Sequence, residues 1–183
     1  MAGVRRVIVG ASASPGSIPA MRYAETLARR ESALLVAVHA WTPPGGELAD
    51  RRQPSAYLRR IWAQEAGKRL AEAIDSAWGG TPDGLPFQGL VVRGEPGPSL
   101  VGVADSAHDL LVVGAGRRGR LARIGHGQVS RHCLARAVCP VIAVPPADLA
   151  RAGGHRFWPL RRGELALDRA LSELDGAKPS RNR

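Results

Sequence analysis

The residues best suited to chemistry cluster between positions 112 and 131. The run Val112-Val113-Gly114-Ala115-Gly116-Arg117-Arg118-Gly119-Arg120 sets glycines at short intervals directly after an apolar stretch, and Gly125, Gly127 and Gln128 follow. Glycine lets backbone N–H groups approach an anion closely. A helix opening at Gly127 would add free N–H donors, and arginine adds planar forks that match phosphate. The chemistry on offer is therefore anion holding rather than bond making. Read literally, Gly114-x-Gly116-x-x-Gly119 is a dinucleotide fingerprint. That fingerprint needs its third glycine inside an opening helix and an acid about 20 residues on. Here Gly125 and Gly127 prolong the loop, and no Asp or Glu occurs between Asp109 and Asp148, so the dinucleotide reading is set aside. Gly114, Gly125 and Gly127 would serve a plain turn as well as a phosphate cradle.

Charge points to the same segment. The net charge is +10 over 183 residues. Residues 1–109 carry 12 basic and 11 acidic residues, and residues 148–183 carry 8 and 5. Residues 110–147 hold Arg117, Arg118, Arg120, Arg123, Arg131 and Arg136 and no acid. A local excess of this kind attracts phosphates and other anions, although a solvated arginine face would look the same in sequence.

Apolar runs alternating with helical patterns must position this loop. Val7–Val9, Leu34–Val38, Gly89–Val92, Leu110–Val113 and Val141–Val144 read as five short strands. Between them, Met21, Ala24, Leu27 and Ala28 mark a helix over 17–31, and Leu58, Ile61, Trp62, Leu70, Ile74, Ala77 and Trp78 mark the strongest one, over 55–79. Residues 42–54 read as a Pro/Gly loop. A further helix opens at Pro96 or Pro98 and runs to about 107 with Leu100, Val103 and Ala104 inward, and another spans 127 to about 137. Nearly continuous apolar strands alternating with helices imply an α/β domain, a parallel sheet covered on both faces. Ligands of such sheets sit beyond the carboxyl ends of the strands, where strand order reverses, which singles out the loops after the first and fourth strands.

A longer pattern joins these pieces. Val7-Ile8-Val9-Gly10 leads to Ser12-Ala13-Ser14-Pro15, Leu34 to His39 forms the second strand, Gly114 opens the loop to Gly127-Gln128-Val129-Ser130-Arg131, and Cys139-Pro140-Val141-Ile142-Ala143-Val144 closes the domain. In order and spacing, residues 4–146 resemble the universal stress protein family. The resemblance implies a Rossmann-like five-stranded parallel sheet with four helices, and a homodimer formed through the last strand, Val141, Ile142, Ala143 and Val144. Nucleotide-binding members of the family carry Gly-x2-Gly-x9-Gly-Ser/Thr after the fourth strand and an Asp at the end of the first. Gly114 and Gly127 match the first and third glycines with the overall spacing intact. The second glycine is replaced by Arg117, the Ser/Thr by Gln128 and the Asp by Ser12. Gly116 stands one residue before the second site, and the Gln128 amide can donate where a hydroxyl would. The resemblance thus implies a degenerate adenine nucleotide or phosphate site drawn from Ser12, Gly114, Gly116, Arg117, Gly127 and Gln128.

Other functions lack support. His126, His132, Cys133 and Cys139 match no usual zinc spacing, so no metal site is expected. Cys133 and Cys139 read as small core residues, and two cysteines form no disulfide scaffold, which fits a reducing, cytoplasmic setting. His39 reads as a satisfied core or loop histidine. No Gly-x-Ser-x-Gly elbow or carboxylate pair accompanies the glycine loop, so no enzyme is expected and no catalytic residue is assigned. No apolar run reaches the roughly 18 residues of a membrane span. Trp41, Trp62, Trp78 and Trp158 are scattered, and neither a helix-turn-helix nor a stacking platform backs nucleic-acid binding. The domain is expected over 1–147. The extension 148–183 holds an apolar knot, Phe157-Trp158-Pro159-Leu160, and a short amphipathic helix over 163–176, with residues 177–183 disordered. Together these features imply a non-enzymatic regulatory homodimer. Two alternatives stay open: a ligand-free protein-interaction module, and a polyanion or nucleic-acid binder acting through the arginines of 117–136.

Overall fold

A computed structural model describes residues 3–14, 16–115 and 128–146. The elements run β1 (Arg6–Gly10), α1 (Ser17–Glu31), β2 (Leu34–Trp41), α2 (Gly46–Arg52), α3 (Ala56–Trp78), β3 (Phe87–Arg93), α4 (Pro96–Val103), β4 (Asp109–Gly114), α5 (Gln128–Arg136) and β5 (Val141–Val144). All strand pairs are parallel, in the order β3-β2-β1-β4-β5. The chain builds outward from β1 to β2 and β3, then returns to the other side of β1 with β4 and β5. Strand order therefore reverses between β1 and β4, and β5 is an edge. The five-stranded parallel α/β fold is the one expected from sequence.

Side-chain alternation along β1 divides the core. Val7 and Val9 point to one face, where they meet Ala20, Met21, Ala24 and Ala28 of α1 and Leu70, Ala73 and Ala77 of α3. Ile8 points to the other face and packs with Leu100 of α4, Cys133 of α5 and Leu111 of β4. Val7, Ile8 and Val9 are wholly buried. At about 1.5–3 kcal/mol for each such side chain, the central strand is a principal source of stability. The sequence-marked faces of α1 and α4 are inward as expected, and Cys133 and Cys139 are buried.

Three expectations are corrected. Residues 46–52 form α2 rather than loop, giving five helices where the resemblance implied four. The helix opening at Pro96 stops at Val103, short of 107. On α3, Leu70 and Ala77 are buried, but Leu58 and Ile61 are exposed at 41% and 39%. Helical spacing placed them on the apolar face, yet among the described residues nothing covers them. The Gly116, Arg117 and Gly127 positions, and the extension beyond 146 with its expected helix, lie outside the described residues. Among the described residues, no helix is long and apolar enough to cross a membrane.

Two charge clusters fasten the elements. Arg6 and Asp109 are register partners on β1 and β4. Arg6 Nε donates to Asp109 Oδ1 at 2.8 Å and Arg6 Nη2 donates to Oδ2 at 2.6 Å. The Asp109 carboxylate, 1% exposed, also accepts from the Ser106 amide at 3.0 Å. Arg6 further pairs with exposed Asp105 at 2.6 Å. These bonds hold the Arg6 guanidinium well above its ordinary pKa, chiefly through Asp109. The second cluster holds α2. Asp50 is its one buried residue. Arg93 of β3 donates to Asp50 at 2.6 Å and to Glu47 at 2.7 Å, and Arg59 of α3 donates to Asp50 at 2.9 Å. The Arg93 guanidinium also lies 5.8 Å from the Trp41 ring centroid. The hydrogen bonds from Arg93 hold both the Asp50 and the Glu47 carboxyls below the usual carboxylate range.

Arg6→Ala strands a buried carboxylate. It is expected to destabilise the fold by about 3–5 kcal/mol in urea denaturation, whereas loss of exposed Asp105 costs at most about 1 kcal/mol. Equal costs for the two variants would contradict this assignment. The α2 cluster predicts a pH dependence. Because Asp50 and Glu47 are depressed in the folded state, their stabilisation is complete above the ordinary carboxylate pKa of about 4 and is lost as pH falls through the lower folded values. The stability gap between wild type and Arg93→Gln should thus be full at neutral pH and shrink steadily below about pH 4. A gap that stays constant on acidification would show that Arg93 acts by packing alone.

Candidate functional site at the carboxyl ends of β1 and β4

The strands are parallel, so their carboxyl ends share one edge of the sheet, and strand order reverses there between β1 and β4, the kind of place where ligands of α/β sheets bind. The turn after β1 is built from serines. The Ser17 hydroxyl, buried at the start of α1, donates to the Gly10 carbonyl at 2.9 Å and accepts from the Ser12 amide at 2.9 Å. The Ser14 carbonyl accepts from the amides of Ser17 at 3.0 Å and Ile18 at 3.3 Å. The Ser12 hydroxyl lies 3.0 Å from the Ser14 hydroxyl. Ser12, the position where the family pattern has Asp, therefore stands half-buried at this edge with its hydroxyl engaged by a neighbour rather than by a buried base. His39, at the end of β2, brings Nδ1 to 2.8 Å from the Ala11 carbonyl, so its ring carries the proton there and braces the same turn. Ala11 in turn donates its amide to Val38 at 2.8 Å.

Gly114 closes the site from β4. A Cβ at this position would collide with the Gly16 carbonyl oxygen and stand 2.9 Å from the Gly16 carbonyl carbon. The glycine is thus required where the turn after β1 meets the end of β4, backbone against backbone. Sequence left turn chemistry and phosphate cradling open at Gly114, and close backbone approach is one demonstrated reason for a glycine there. The next residue, Ala115, ties the strand end to β5 through a 2.7 Å bond from its amide to the Val144 carbonyl. Gln128 is exposed at the first position of α5. The structure thus joins the β1 turn to Gly114, while Gly116, Arg117 and Gly127 fall outside the described residues.

Two site residues carried no sequence signal. Ser17 is one of several serines between 12 and 17, and no spacing marks it as the buried one. Gly16 matters because of what it touches across the sheet. The expected interface strand is at the sheet edge. Val141, Ile142 and Val144 are half-buried and Ala143 is exposed. On α5 and in the link from it to β5, Leu134 and Val138 are exposed at 58% and 64%. No group of three or more His, Cys, Asp or Glu suited to a metal occurs among the described residues. Burial pushes the Cys133 thiol up to about 11, in keeping with a core residue.

Comparison with known proteins agrees with this architecture. Residues 3–145 match the profile of the universal stress protein family. A universal stress protein of Mycobacterium tuberculosis is 33% identical over 144 residues, a match covering 74% of this chain and 42% of that protein. The chain therefore spans less than half the length of the curated relatives it matches. A solved universal stress protein from Archaeoglobus fulgidus superposes with a TM-score of 0.56 at 22% identity, covering 76% of this chain and 98% of the other. Another, solved in complex with cAMP, is 25% identical with a TM-score of 0.49, covering 78% and 97%. The parallel sheet reversing between β1 and β4, the serine turn and the family profile spanning both lead to one conclusion: the chain belongs to the universal stress protein family.

Proposed function

We propose that this chain is a non-enzymatic regulatory module that holds an adenine nucleotide or a smaller phosphate ligand weakly, at the carboxyl ends of β1 and β4. The observation that carries this reading is the meeting of Gly16 and Gly114 backbones at the strand-order reversal, the place where an α/β sheet admits a ligand. Ser12, Arg117 and Gln128 make the site weak by replacing the acid, glycine and hydroxyl of the family pattern. The non-enzymatic reading is supported by the hydrogen bonds of the turn: the Ser12 and Ser14 hydroxyls face each other, the Ser17 hydroxyl serves the Gly10 carbonyl and His39 serves Ala11, so among the described residues of the turn no serine is paired with a base. We also infer a cytoplasmic homodimer paired through β5. Edge strands leave backbone donors and acceptors unpaired, and a two-fold mate satisfies them. Leu134 and Val138 would extend that contact.

Losing a charge-assisted bond at Ser12 and a hydroxyl contact at Gln128 removes about 1–3 kcal/mol each. Two such losses move a micromolar site toward millimolar. Calorimetric titration should give ATP affinity near millimolar, and the double variant Ser12→Asp with Gln128→Ser should tighten it about tenfold or more. Micromolar affinity in the wild type would overturn the degenerate site. For assembly, sedimentation should show a dimer at micromolar concentration, with Ile142→Lys and the exposed-site variant Leu134→Lys giving monomer or aggregate. A monomeric wild type would refute the β5 interface.

A further inference from the structure

The start of α3 presents an apolar face that is exposed among the described residues. Tyr57 is 71% exposed, Leu58 41% and Ile61 39%. Tyr57 and Ile61 are four residues apart and Leu58 and Ile61 three, so they form one ridge along the helix. Leu48 on the neighbouring α2, which is tied to α3 through Asp50 and Arg59, is 71% exposed as well. Contiguous apolar side chains on a surface mark an interaction site more often than single ones do.

The unpaired charges flanking this ridge are basic. Arg51, Arg52 and Arg60 are exposed and make no ion pair within 4.0 Å among the described residues. Among the described residues of α2 and α3, Asp50 and Glu47 are engaged by Arg59 and Arg93, and Glu65 by Lys68 at 3.8 Å and Arg69 at 3.7 Å. A partner therefore has to supply both apolar side chains and carboxylates. The size of the ridge decides what kind of partner. A stable homodimer uses roughly 20–30 residues a side, whereas the large exposed apolar residues of α2 and α3 are Leu48, Tyr57, Leu58 and Ile61. One helix with two or three apolar anchors at three-and-four spacing matches this ridge. We propose that the opening of α3 docks an acidic amphipathic helix of a partner protein, its apolar stripe on Tyr57, Leu58 and Ile61 and its carboxylates toward Arg51, Arg52 and Arg60. This surface shares no residue with the site at the ends of β1 and β4.

The test uses the full chain and two labelled synthetic amphipathic peptides with the same leucine stripe, one flanked by Glu and one by Lys, read by fluorescence anisotropy. The Glu peptide should bind about tenfold or more tighter at low salt. That preference should fade toward 1 M salt, where the Debye length falls to about 3 Å. Ile61→Asp should weaken the Glu peptide about tenfold with an unchanged thermal melt, since the side chain is on the surface. Arg51→Glu with Arg52→Glu and Arg60→Glu should reverse the preference toward the Lys peptide. Equal binding of both peptides, or binding of neither, would overturn the proposal. So would wild-type self-association abolished by Ile61→Asp, which would make a second copy the occupant.

Discussion

The alternation of Val7, Ile8 and Val9 along β1 is the constraint on which the other layers depend. A strand buried on both faces needs a covering helix on each side, and it needs hydrogen-bonding neighbours at both edges. Val7 and Val9 recruit α1 and α3, and Ile8 recruits α4 and α5. Pairing with both β2 and β4 makes β1 the axis about which strand order reverses. The reversal at the carboxyl edge follows from this pairing rather than from any special residue. The Arg6–Asp109 pair fixes the β1–β4 register at the opposite end of the same two strands, so the position of Gly114 against Gly16 is set from both ends.

The carboxyl edge is constructed largely from backbone. The serine turn satisfies its own amides and carbonyls, and Gly114 admits the Gly16 carbonyl because it has no Cβ. Buried backbone groups must find partners, and here they find them within the turn and in Ala11 and His39. Among the described residues the turn's hydroxyls and His39 are taken up by these bonds, which is the support for the binding reading proposed above.

The α2–α3 side of the molecule is held by a different force. α2 contributes no apolar residue to the core, and its attachment to α3 and β3 runs through Asp50 and Glu47. Charge pairs hold such an element in place without covering apolar neighbours. This is consistent with the opening turns of α3 keeping Tyr57, Leu58 and Ile61 at the surface while later turns of the same helix bury Leu70, Ala73 and Ala77.

Strand runs, helix faces and fold class were legible in the chain, because a period of two or of nearly four in apolar residues is a local property. Met21, Ala24, Leu27 and Ala28 share a face whatever surrounds them, and the structure buries all four. Whether anything lies against a face is not local. Leu58 and Ile61 obey the same periodicity as Leu70 and stay exposed, since only the packing of α1 and the sheet decides where coverage of α3 ends. Likewise α2 hides behind Pro and Gly in sequence, and its anchor Arg93 is 43 residues from Asp50. Arg6 and Asp109 are separated by 103 residues, and neither gives a local sign that the other will neutralise it. The sequence by itself determined which glycines could matter. Only the tertiary structure decided that Gly114 is needed for backbone contact with Gly16, because a steric requirement exists only once two distant segments have met.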